Sequence, residues 1–202
     1  MNSTLKRIIK ELDKMENHMK KYYRGAYPAM FLQLHSPLEI CEILEMRLGD
    51  LLYCDKGKIK MYPDIVYRGK KIVLDEKDRK ELAWCLLQRV PAVNAEESML
   101  EDWLCVNIQG QKLKIHAYRK MLLRTNSELN FDMNYSATRL HSLYGYMEIA
   151  TGRKSVMQVA REYQVSRSYL LQRIFKNMDV DFMDYVIEQV ANAREEEEDD
   201  MV

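Results

Sequence analysis

The chain has 202 residues, 47% of them hydrophobic, which is enough for one well-buried domain with an appended arm and too few for an obvious pair of domains. No window of eighteen or more apolar residues occurs, and the opening run MNSTLKRIIKELDKMENHMKK mixes charged and apolar residues where a signal peptide would carry an apolar core, so a soluble, cytoplasmic protein outside any membrane is expected. The formal charge of zero hides a basic body: the six consecutive acids Glu195 to Asp200 leave residues 1–194 with 31 bases against 25 acids, a net of +6.

Leu5, Ile8, Ile9, Leu12, Met15 and Met19 fall at helical spacing and predict an amphipathic helix over 3–22, with Ser3 or Thr4 as its N-cap. Arg24-Gly25 and Pro28 end it, and two further helices follow at 29–36 and 38–48, divided at Pro37. Short β-like runs at Lys58–Met61, Asp64–Tyr67 and Lys71–Leu74, separated by Lys56-Gly57, Pro63 and Arg68-Gly69, predict a small antiparallel sheet. Asp75 caps a helix to about Arg89 with Leu82, Leu86 and Leu87 inward; residues 91–102 are turn-like, and 103–107 reads as a strand. Helices then dominate, at roughly 114–127, 136–150, 155–162, 166–177 and 180–194. The fold class expected is mainly α with a small antiparallel β-sheet, α+β, made of an N-terminal three-helix unit, the sheet and a C-terminal helical bundle.

Cys41, Cys54, Cys85 and Cys105 lie more than ten residues apart, and the four histidines are equally scattered, so neither a metal centre nor a cofactor is expected. Charge alone leaves two readings of the basic body: a solvated surface with an acidic tail, or a nucleic-acid surface.

The segment Ser136–Phe175 sets SATRLHSLYGYMEIATG before SVMQVAREYQVSRSYLLQRIF. That order resembles the C-terminal half of the phage integrase (tyrosine recombinase) catalytic domain, which runs His-x-x-Arg, a helix, a Gly-His-Ser-like turn and a helix bearing the tyrosine that cuts DNA. Upstream, PLEICEILEMRLGDL from Pro37 is similar to the family box Gly-Leu-Arg-Ile-Ser-Glu-Leu-Leu-x-Leu-Arg-Trp-x-Asp-Ile, with Glu42 and Asp50 on its glutamate and aspartate. IVYRGKKIVLD resembles the family's β-hairpin, whose lysine is the general acid; Lys70, Lys71 and Arg68 compete for that place. WLCVNIQGQKLKIHAYRKML looks like its strand, turn and helix. The resemblance spans residues 26–176.

What the resemblance implies for chemistry is loss. Glu39 stands where the first catalytic arginine belongs, Ser136 where the histidine belongs, and Ile174 where the nucleophilic tyrosine belongs, while Arg139 holds the second arginine's place. Gln164-Val165-Ser166 replaces Gly-His-Ser, His141 reads as a core or surface histidine, and Tyr169 lies five residues from the nucleophile's place. An anion for a phosphate-clamping cation reverses the transition-state electrostatics. The expectation is an integrase-like protein of a mobile element that binds double-stranded DNA without cutting it, through Arg68, Lys70, Lys71, Arg139, Arg167 and Arg173.

Two rival readings stand beside it. SVMQVAREYQVSRSYLLQRIFKNMDVDFMDYV is also similar to the first helix-turn-helix of AraC-type regulators over 155–185, which would turn Ser166, Arg167, Ser168, Gln172 and Arg173 toward the major groove; Gln164 stands where that turn usually has glycine. The other is a helical interaction module with a merely solvated basic face. In organisation, residues 1–25 are read as an amphipathic arm, 26–178 as the integrase-like domain, and 179–202 as a helix plus acidic tail. Phe182, Tyr185, Val186 and Val190 make an apolar stripe by which 180–194 would pack on its own core or dock on another copy or a partner recombinase.

Overall fold

The computed structural model describes residues 3–89, 97–131 and 133–176. Helix α1 spans Ser3–Tyr22, and Leu5, Ile8, Leu12, Met15 and Met19 are all buried along one stripe, as their spacing predicts. Ser3 and Thr4 are already helical, so neither is the N-cap. Helix α2, Tyr27–His35, carries Pro28 in its first turn and buries Tyr27 through Gln33 without a break, which makes it the central strut of the core. Its one buried amide ties three helices: Gln33 Nε2 donates to Ala137 O at 2.8 Å, and Tyr118 Oη donates to Gln33 Oε1 at 2.8 Å.

The helix expected over 38–48 is only α3, Ile40–Ile43. Beyond it the backbone pairs across the chain instead: Leu104 N donates to Met46 O and Leu48 N to Asp102 O, both at 2.9 Å, and Arg47 and Trp103 form an antiparallel bridge. This cross-chain pairing also buries Met46 and Leu48, so tertiary partners override helical propensity. A 3-10 turn, Leu48–Asp50, follows, with Asp50 accepting from Arg47 N at 2.7 Å.

Four short strands come next: β1 Leu52–Asp55, β2 Lys58–Met61, β3 Ile65–Tyr67 and β4 Lys70–Ile72. They form two separate hairpins, β1–β2 and β3–β4, where one sheet was expected, and β1 was missing from the sequence reading. Each hairpin turns on a pair with positive φ at both residues, Lys56-Gly57 (51° and 74°) and Arg68-Gly69 (50° and 78°), the type I′ pattern that matches strand twist. Helix α4, Glu76–Leu87, is capped by Asp75, which accepts from Asp78 N at 2.8 Å; Cys85 takes the inward place expected of Leu87, which is half-buried.

Residues 103–107 are not a strand. They make only the bridges Arg47↔Trp103 and Val106↔Lys112, because Asn107 folds the chain by accepting from Gln109 N and Gln111 N at 2.9 and 3.0 Å. Helix α5, Ile115–Leu129, ends at Asn130 in the left-handed region, and α6 runs Ala137–Ala150. Helix α7, Val156–Glu162, is followed by a left-handed Gln164 (φ 57°) and by α8, Arg167–Tyr169, which widens into a π-helical turn over Leu170–Ile174 where one regular helix was expected. The expected helix at 180–194 lies outside the described residues. Among those residues no helix is long and apolar enough to cross a membrane, and no three His, Cys, Asp or Glu side chains gather as a metal site.

Candidate nucleic-acid interface

Four segments converge beside the N-terminal half of α6. Ser36 steers the first: its hydroxyl donates to Leu32 O at 2.6 Å and accepts from Leu38 N, which turns the chain out of α2 toward Glu39. Glu39 N donates to Glu42 Oε2 at 2.8 Å, so the pair opens α3, and the Cys41 thiol donates to Glu39 Oε2 at 3.3 Å. The same Glu42 oxygen accepts from Lys70 Nζ at 2.8 Å, with the two side chains only 15% and 12% exposed. Burial alone would raise the Glu42 carboxyl, but the Lys70 ammonium, the Glu39 N–H and the nearby Arg68 guanidinium bring it below the usual carboxylate value. Lys70, the first residue after the Arg68-Gly69 turn, is thus ion-paired with Glu42 in this structure.

The tip of that hairpin meets the fourth segment. A Cβ on Gly69 would sit 3.2 Å from Gln164 Nε2, so the β3–β4 turn lies against the α7–α8 turn. His141 on α6 packs on the neighbouring segments, its Nδ1 3.1 Å from Leu38 O and its ring edge-on to Tyr163 at 4.9 Å. Burial holds the imidazole below its ordinary pKa, partly offset by Glu39 and by Leu38 O. The sequence reads His141 as a core or surface histidine; in the structure it is half-buried within this cluster.

The positions expected to be replaced, Ser136 and Ile174, both have structural roles. Ser136 caps α6 by accepting from Arg139 N at 3.2 Å, and Arg139 Nη1 reaches back to Asn134 O at 3.4 Å. Ile174 is half-buried, and its carbonyl accepts from Ser142 Oγ at 2.6 Å, which pins the π-helical turn to α6. Tyr163 is buried, donates to His141 O at 2.5 Å and accepts from Gly145 N at 3.2 Å; burial pushes its phenol far above the ordinary value. Tyr169 is half-exposed on α8. The position expected from the resemblance to hold the nucleophile, Ile174, carries an aliphatic side chain, and the buried Tyr163 phenol nearby is committed to two hydrogen bonds.

This arrangement of box, hairpin, capped helix and following turn is a known one. The fold is that of the tyrosine recombinases. XerA recombinase superposes with a TM-score of 0.65 at 12% identity over 89% of this chain and 61% of its own. The integrase of transposon Tn1549, solved in complex with transposon right-end DNA, superposes with a TM-score of 0.58 at 14% identity over 95% of this chain and 65% of its own. The chain therefore spans less than two thirds of either recombinase chain. No protein-family model and no curated protein sequence matches it.

The remaining expected contacts are dispersed around the cluster. Arg68 is exposed beside the Tyr67 ring, 5.5 Å from its centre, and Lys71 forms an exposed pair with Asp64 at 2.9 Å. Arg167 is half-buried and Arg173 exposed, and neither enters an ion pair among the described residues. A larger basic feature escaped the sequence reading. Lys114, His116, Arg119, Lys120 and Arg124 are all exposed along α5 and its N-cap, again without an ion pair among the described residues. Arg119 lines a pocket of about 180 Å3 with Asn134 and Ser136, so this face adjoins the α6 N-terminus that carries Arg139. Only knowing which face of α5 is buried, through Tyr118, Leu122 and Thr125, reveals it.

Proposed function

We propose that this chain is a duplex-DNA-binding module of the tyrosine-recombinase type, active in DNA recombination or its control, that does not cleave DNA. The observation that carries the reading is the pairing of an acidic centre with a cationic rim: Glu39, on the position the resemblance gives to a phosphate-clamping arginine, stands beside Glu42, while α5, Arg167 and Arg173 carry cations around it. Backbone phosphates bind the rim and fix register; the centre repels them. The same reading lets residues 180–194 dock on another copy or on a partner recombinase.

The test is duplex binding by fluorescence anisotropy across a salt series, with a nicked suicide duplex run on a denaturing gel. Six contacts, from Lys114, Arg119, Lys120, Arg124, Arg167 and Arg173, give a log K against log salt slope of about −5. Absent or salt-independent binding overturns the reading in favour of an interaction module, and a covalent adduct that survives denaturation overturns the non-cleaving part. A second reading, a helix-turn-helix regulator, draws on one observation: Gln164 adopts the left-handed turn conformation despite its side chain. It demands strong sequence preference, whereas the first does not, and the three-residue α8 is a short reading helix.

A further inference from the structure

Helix α1 lies outside every contact considered so far, yet it carries a concentrated uncompensated charge. Its exposed face holds Lys6, Arg7, Lys10, Lys14 and Lys21, and none of these enters an ion pair among the described residues. Its acids are placed elsewhere. Glu11 is buried and accepts from Tyr135 Oη at 2.6 Å, Glu16 is half-buried near Lys20, and only Asp13 stands in solvent. On a helical projection Arg7, Lys10, Lys14 and Lys21 share the flank turned toward α5, whereas Asp13 falls on the other flank, beside the Glu16 and Lys20 side that meets Glu81 of α4.

That flank is continuous with the basic features already described. Helix α1 packs antiparallel on α5, with His18 3.1 Å from Glu128 and Thr125 Oγ1 donating to Met19 Sδ at 3.6 Å. At the other end Tyr135 donates to Glu11 on α1 at 2.6 Å and directly precedes Ser136, the N-cap of α6, so the first half of α1 adjoins the start of α6. A cationic strip therefore runs from Arg139 through Arg7 and down α1 beside the α5 face.

We propose that the α5-facing flank of α1 is a second phosphate-binding strip, which extends the duplex-DNA surface beyond the recombinase-like cluster. This rests on the DNA-binding reading above. Residues 7 to 21 span about 21 Å at 1.5 Å per residue, long enough for the four cations of the flank to reach several phosphates of a duplex backbone. Point charges on flexible stems suit such backbone contact, which needs no base readout.

The test compares the full chain with the triple variant Lys10→Gln, Lys14→Gln, Lys21→Gln by anisotropy on a duplex of about 30 base pairs. Glutamine has lysine's helix propensity, and circular dichroism verifies that α1 stays folded. Losing three contacts is expected to flatten the salt slope by about 2.7, so that the wild-type advantage shrinks about 40-fold between 50 and 200 mM salt. The triple Lys→Arg variant keeps the wild-type slope, and Lys77→Gln on α4 leaves it unchanged. An unaltered slope in the Gln variant, with wild type still binding, overturns the strip alone; a wild type that does not bind DNA overturns the reading beneath it. Equal protection by single-stranded RNA of matched length also overturns the commitment to duplex DNA.

Discussion

Lys70→Met removes the cation from a pair whose carboxylate cannot leave. An exposed ion pair is worth less than about 1 kcal/mol, whereas stripping one partner from a buried pair costs about 3–5 kcal/mol. With Lys70 and Glu42 only 12% and 15% exposed, the loss at pH 7 is expected at about 2–3 kcal/mol, or about 4–12 °C in Tm for a chain of this size. The pH dependence supplies the decisive sign. In the wild type Glu42 is depressed, so its contribution is present above the unfolded carboxylate value of 4.5 and is lost as pH falls through the lower folded value. In the variant burial dominates and raises Glu42, so the carboxyl takes up a proton as pH falls toward 4 and the penalty fades. Urea denaturation at pH 7 and pH 4 measures both, with Glu42→Gln and the double variant completing a cycle. Equal destabilisation at both pH values, or a double variant equal to the sum of the singles, refutes the reasoning. The Lys70 variant should also bind duplex with the wild-type salt slope, since Lys70 is a clamp on Glu42.

Two further substitutions probe the frame around the site. Gly145→Ala would place a Cβ 2.9–3.1 Å from Val159, Phe175 and Tyr163, and is expected to lower stability by about 1–3 kcal/mol in chemical denaturation. Lys56→Asn relieves a left-handed residue in the β1–β2 turn and is expected to raise stability by about 0.5–1 kcal/mol, because Asn tolerates that conformation.

How much of this was legible follows from which forces set each element. Helix α1 was legible because a 3.6-residue stripe and one buried face are the same fact. The segment 38–48 was not, because Met46 and Leu48 give their backbone bonds to residues over fifty positions away, and no local pattern encodes that exchange. Strand β1 hid beside a turn whose first residue, Lys56, lacks the Asn or Asp signal that usually announces a type I′ hairpin. At the site, the family resemblance singled out Glu39, Lys70, Ser136, Arg139 and Ile174 as positions, but no sequence pattern announced that Lys70 pairs with Glu42. His141 and the α5 face carry no motif; they became readable only once helix orientation was fixed.

On the proposed reading, the residues at the positions the resemblance marks as replaced are tied into the fold, and that gives a reason for the architecture to be kept without the chemistry. Ser136 supplies an N-cap worth about 1 kcal/mol to the helix that carries Arg139. Glu39 begins the turn that Glu42 and Lys70 complete, and the chain at Ile174 is bonded to Ser142 while Phe175 behind it is fully buried. Exchanging any one of them for a catalytic residue removes a cap, adds an unneutralised cation beside Lys70, or forces a phenol into a half-buried aliphatic seat. Each costs stability before the others can supply function, because a clamp without a nucleophile transfers nothing. A duplex held by the outer cations makes no such demand: it needs only that α5 and α1 keep their buried stripes and so hold their charged faces outward. In the proposed reading, binding survives on the surface that packing maintains anyway.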